Sequence, residues 1–139
     1  MSFPEPLGRE IVKTRSGGRC EAAIENVCMG QAQTVHHRLK RSHGGGWNPS
    51  NLLHLCGDGT IGCHGWIEVH PRLANEKGMW LFAGEDPLET ACHMRWENLR
   101  SWYVLDDQGL LHWDTYDFEP ITLSWAAPSN LSFQPKPSR

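Results

Sequence analysis

At 139 residues, with a net charge of -3 and 39% hydrophobic side chains, the chain has room for one small domain or a compact core with an appendage. No stretch is apolar enough to span a bilayer, and the N-terminal MSFPEPLGREIVK offers no apolar run for a secretory signal, so a membrane protein is disfavoured and a reducing, cytoplasmic setting is expected. In that setting five cysteines point to metal binding more readily than to a disulfide-stapled secreted fold.

The charge is unevenly spread. Residues 1–43 carry seven Lys or Arg against four Asp or Glu, while residues 44–139 carry six against twelve. The basic part includes Arg38, Lys40 and Arg41. Such a patch can bind a phosphate backbone within an acidic chain, or it can be a solvated charged face.

In chain order, Pro4 to Arg15 places Leu7, Ile11 and Val12 at helical spacing, and the Gly17-Gly18 pair ends the helix. The EAAIENV between Cys20 and Cys28 fits a loop or one helical turn. Thr34 to Leu39 is β-prone, Ser42 to Pro49 is a glycine-rich loop, and Asn51 to Cys56 reads as a second strand. A knuckle at residues 57–62 leads into a helix from Cys63 to Val69, and Pro71 stops it or starts a new turn. Beyond Gly78, Met79 to Ala83 and Leu88 to Trp96 read as strands. Asp106-Asp107-Gln108-Gly109 joins Trp102–Leu105 to Leu110–Trp113 in a hairpin. The expected class is α+β: a core over 1–77 with a short N-terminal helix, a small β appendage over 78–125, and a disordered tail over 126–139.

Four cysteines and six of the eight histidines lie between Cys20 and His70. Cys20, Cys28, Cys56 and Cys63 form C-x7-C and C-x6-C pairs with 27 residues between them, spacers longer than those of an ordinary zinc knuckle. They fit a tetrahedral thiolate site for zinc or, failing that, four buried reduced thiols. Cys92 reads as a packed thiol. His36 and His37 can take one role each, as metal ligand or as general base. Neighbours on a regular strand face opposite ways, so a shared site calls for a twist or bulge there. His64 and Glu68 are four apart on one helical face and can share a cation, and the Asn51 amide can brace the preceding loop.

The segments VHHRLKRSHGGGWNPSNLLHLC and GCHGWIEVHP, inside the four-cysteine frame, resemble the HNH endonuclease family of ββα-metal nucleases, in particular small HNH proteins of bacteriophages of actinobacteria. The likeness covers about residues 8–77. It implies a zinc-stapled ββα-metal core in which His36 and His64 are metal ligands, His37 is the general base, Asn51 braces the loop and the four cysteines hold structural zinc. Some relatives carry a histidine where this chain has Glu68. A carboxylate there favours Mg2+ or Mn2+ over Zn2+ or Ni2+ as the catalytic cation, unless Glu68 is merely solvated. The implied partners are double-stranded DNA, met by Arg38 and Arg41, and a phage terminase. The implied activity is nicking or double-strand cleavage, by a monomer or a homodimer.

The competing reading is a non-catalytic zinc module that binds DNA or protein. Among the remaining residues, His70 is a distant candidate for the metal, His43 and His54 can face DNA, water or core, and His93 and His112 are read as structural. Trp47 and Trp66 flank the site and are read chiefly as packing residues.

Overall fold

The computed structural model describes residues 3–114 and 119–120. The tail over 126–139 and the end of the expected appendage lie outside the described residues. Helix α1 spans Glu5–Ser16, with Glu5 in its first turn and Lys13 and Arg15 in its last, which suits the helix dipole. Gly17, at φ 64°, closes it by donating its N–H to the Lys13 carbonyl. Gly8 faces the loop that carries Trp47. A Cβ at Gly8 would stand 2.1 Å from the Trp47 carbonyl oxygen, so glycine is what lets the helix lie against that loop.

Strands β1 (Thr34–His37) and β2 (Leu52–Leu55) pair antiparallel, with His36 opposite Leu53 and His37 opposite Leu52. The connection between them holds two 3-10 turns, Arg41–His43 and Pro49–Asn51. β2 is buried along its whole length because α1 and helix α2 (Gly62–Val69) both pack on it, and its one polar side chain, His54, bonds Ser16 of α1. Pro71 then opens a further helix, α3 (Pro71–Glu76), at the position where a missing N–H costs nothing.

The C-terminal part is a four-stranded antiparallel sheet. β3 (Cys92–Trp96) pairs with β4 (Leu99–Leu105), which in turn pairs with β5 (Leu111–Trp113) and with β6 (Glu119–Pro120). The Asp106–Gly109 turn is where the sequence places it: Asp106 accepts from the Gln108 and Leu110 N–H groups, and its own N–H donates to the Leu110 carbonyl. Two expected strands differ. Residues 79–83 form no strand, only an isolated bridge from Leu81 to Leu39, because the Met79 and Trp80 carbonyls accept from the His36 and Asn75 side chains. Residues 86–90 turn back on themselves through Asp86, so the next strand starts at Cys92.

One continuous cluster of buried residues runs from Cys20, Leu53 and Ile67 through Met79 to Met94, Tyr103 and Leu111, so the second sheet shares the core of the first part. Arg95 ties the sheet to the first part by donating to the Cys20 carbonyl, and within the first part Arg15 makes a buried two-pronged pair with Glu21 at 2.7 and 2.8 Å. Among the described residues no helix is long and apolar enough to cross a membrane.

Candidate metal centres

The four thiols of Cys20, Cys28, Cys56 and Cys63 lie within 4.8 Å of one another, at the point where the loop before β1, the end of β2 and the start of α2 meet. All five cysteines are free, and the Cys28 and Cys56 sulfurs are 3.9 Å apart. Backbone N–H groups point at the sulfurs: Ile24 and Met29 donate to Cys63 and Cys56 at 3.4 and 3.3 Å, and Gly30 and Cys63 to Cys28 and Cys56 at 3.4 and 3.2 Å. Such bonds stabilise thiolates. Without a cation the thiols split. Hydrogen bonding within the set pushes Cys20 and Cys63 above the ordinary thiol range and pulls Cys28 and Cys56 below it. The donor set, its closeness and its N–H support fit a metal ion that takes all four as thiolates. Cys92 is fully buried in β3, where burial raises its thiol to about 11.

The second group is His36, His64 and Glu68, whose ligand atoms also lie within 4.8 Å of one another. Hydrogen bonds fix which nitrogen each imidazole presents. His36 Nε2 donates to the Met79 carbonyl at 2.8 Å, so its buried Nδ1, with no hydrogen-bond partner among the described residues, keeps a free lone pair. Thr34 spends its hydroxyl proton on the Gly57 carbonyl at 3.0 Å and accepts from His64 Nδ1 at 2.7 Å. The His64 lone pair is therefore on Nε2. These two nitrogens stand 3.5 and 3.6 Å from Glu68 Oε2. Metal-binding histidines are commonly held in this manner, by the ring nitrogen that does not coordinate. Burial, and after it the neighbouring His36, lowers His64 further, so it is neutral at pH 7. Glu68 also accepts from Lys40 Nζ at 2.8 Å, and that ammonium rests 4.6 Å from the Trp80 ring centre. Lys40 thus supplies a counter-charge beside the site.

His37 is the last residue of β1. It opens onto a depression of about 370 Å3 that His36, Lys40, Arg41 and His64 also line. Of the twist or bulge expected there, β1 shows no bulge: its register is regular, and His36 and His37 both line the depression, which sits at the strand's end. His37 meets the Trp47 ring edge to face at 4.4 Å. Its Nε2 is enclosed and has no hydrogen-bond partner among the described residues. Burial first, then the neighbouring His36 and the charges of Arg41, Lys40 and Arg9, hold His37 down at about 4, so it too is neutral at pH 7.

Asn51 clamps the connection between the strands. Its Oδ1 accepts from Leu39 N–H at 2.8 Å, and its Nδ2 donates to the Leu39 and Gly46 carbonyls at 3.0 and 3.1 Å. Gly45 lies under the clamp, where a Cβ would come 1.7 Å from the Leu39 carbonyl oxygen.

Arg38 is a correction. It is completely buried, donating from Nε to the Gly78 carbonyl, from Nη1 to those of Ser50 and Pro87, and from Nη2 to that of Thr90, at 2.6 to 3.1 Å. It cannot reach DNA. Arg41 is exposed and lines the depression. His70 Nδ1 donates to the Trp66 carbonyl and its ring stacks on Trp66, which turns it away from the metal group. His54 bonds Ser16, His112 bonds Asp106, His93 packs on Trp102, and His43 is exposed. Thr34, Trp80 and the Met79 carbonyl carry no sequence signal, since they meet the histidines only through the fold, and Lys40, one of the basic patch, turns out to pair with Glu68. No protein-family model, curated protein or solved structure matches the chain.

Proposed function

We propose that the protein is a metal-dependent DNA endonuclease of HNH type, with structural zinc on the four thiols and a divalent cation at His36, His64 and Glu68, Mg2+ or Mn2+ in the first place and Zn2+ or Ni2+ in the second. One observation carries the reading. Two imidazole lone pairs and a carboxylate converge within 4.8 Å, beside a neutral third histidine in the same depression. A thiol-stapled binding module has no use for that set. Two antiparallel strands followed by the helix bearing His64 and Glu68 also agree with what the resemblance leads one to expect of a ββα-metal core.

A divalent cation at this site supplies charge stabilisation on a phosphate oxygen and on the leaving oxygen. The residues of the chain do the rest. His37, neutral, accepts a proton from the water that attacks phosphorus, and the cationic surroundings that lower its basicity also favour the approach of a phosphodiester. Lys40 and Arg41 line the depression and offset charge on the bound phosphate. Asn51 acts through the loop, holding Leu39 and Gly46 so that Lys40 and Arg41 keep their places. The resemblance to phage proteins makes work beside a terminase, in packaging or DNA mobility, the setting to examine.

The test is cleavage of supercoiled plasmid by the zinc-loaded protein in Mg2+ or Mn2+. The wild type nicks or linearises the plasmid, and His37→Ala loses about a hundredfold or more in rate. Equal rates for the two proteins overturn the assignment of the base. Binding without cleavage under any of the four cations makes the protein a metal-stapled binding module instead.

A further inference from the structure

Helix α1 lies outside the metal-binding segment, yet it places a cation on the tryptophan that His37 meets. Arg9 lies over the Trp47 ring, its guanidinium carbon 4.7 Å from the ring centre, and Arg41 approaches the same ring at 5.8 Å from the connection between β1 and β2. His37 meets Trp47 from β1. Three separate parts of the chain thus converge on one half-buried indole. The arrangement is built in, because Gly8, one residue before Arg9, is the point at which α1 touches the Trp47 backbone. Lys13, one helical turn beyond Arg9, is exposed and shares an open groove with it along α1. With Lys40, four cations run from the metal group onto α1 in a chain whose net charge is -3. Glu5 pairs with Arg9 at 2.8 Å, and Glu10 lines the groove. The Glu5 pair is exposed and weak, so a phosphate can displace it.

We propose that Arg9 and Arg41, ordered on Trp47, together with Lys13 farther along α1, are a track for the nucleic-acid backbone, so that α1 holds the phosphates flanking the one being cut. The inference rests on the nuclease reading for its ligand, a polyphosphate backbone. Guanidiniums pre-ordered on an aromatic face lose little side-chain freedom when they meet a phosphate. Their contacts are insensitive to base sequence.

The experiment is fluorescence anisotropy of a labelled DNA duplex with the full-length, zinc-loaded protein, without added divalent cation, across a salt series. Arg9→Ala and Lys13→Ala are each expected to weaken binding several-fold and to lower the slope of log K against log salt by about one. Arg9→Lys, which keeps the charge and loses the stacking, should keep the wild-type slope. Urea midpoints, expected to match wild type, exclude a folding cause. Wild-type affinity and slope in both alanine variants overturn the proposal. So does wild-type protein that binds no DNA, or competition by poly-glutamate as effective as that by unlabelled duplex, which would assign the surface to an acidic protein. A wild type that binds through Arg9 and Lys13 but cuts nothing defeats the nuclease reading and leaves the track standing, whereas cleavage with unchanged binding in both variants does the reverse.

Discussion

Stripping the metal from Cys20, Cys28, Cys56 and Cys63 is expected to unfold the protein. Four-thiolate zinc contributes on the order of 10 kcal/mol to the folding of small domains, as much as the whole stability of a typical one. Three of these cysteines are completely buried within the core cluster. Losing the ion leaves four crowded thiols whose mutual hydrogen bonds pull their acidities in opposite directions, in the middle of the only route from β2 to α2. Since α2 carries His64 and Glu68, the second site should go with the first. Thermal unfolding followed by circular dichroism, with and without a strong chelator, reads this directly. Cys56→Ser should behave like the chelated wild type. A melting temperature that ignores both treatments would mean that the thiols are ordinary buried hydrophobes.

The second large effect concerns Arg38. Replacing it with Met leaves the carbonyls of Ser50, Gly78, Pro87 and Thr90 without their donor, those of Ser50 and Gly78 in fully buried surroundings. A loss of about 2 to 5 kcal/mol is expected, since each buried carbonyl left without its donor costs about 1 to 3 kcal/mol. Lys cannot span four carbonyls with one ammonium, so Arg38→Lys should fall between Met and wild type in urea unfolding. Because Arg38 lies inside the protein, Arg38→Lys should also bind DNA with the wild-type salt dependence. A stability unchanged in both variants would contradict the buried role, and a shallower salt slope would restore Arg38 to the surface.

Arg38 also shows where sequence reading stops. It sits in the run Arg38-Leu39-Lys40-Arg41, in which Arg38, Lys40 and Arg41 looked alike as surface cations. The fold separates them: Arg38 turns inward because four carbonyls from distant segments wait there, Lys40 goes to Glu68, and Arg41 stays in solvent. The spacings of the cysteines and the i, i+4 relation of His64 and Glu68 were legible because they depend on local chemistry. The Asp106–Gly109 hairpin was legible for the same reason. The partners that orient the histidines were not. Met79 reads as the start of a strand, and only the fold brings its carbonyl to His36 across 43 positions. Arg9 carries no signal in the sequence, since nothing near it there reveals the Trp47 ring.

The decisive measurement is a Mn2+ titration of the zinc-loaded protein, followed by electron paramagnetic resonance, with zinc content determined on the same samples. Wild type should hold one zinc at the thiols and bind one further Mn2+ per chain. His64→Ala should keep its zinc and lose the Mn2+. Equal Mn2+ binding by the two proteins would place the cation elsewhere and take the nuclease site with it.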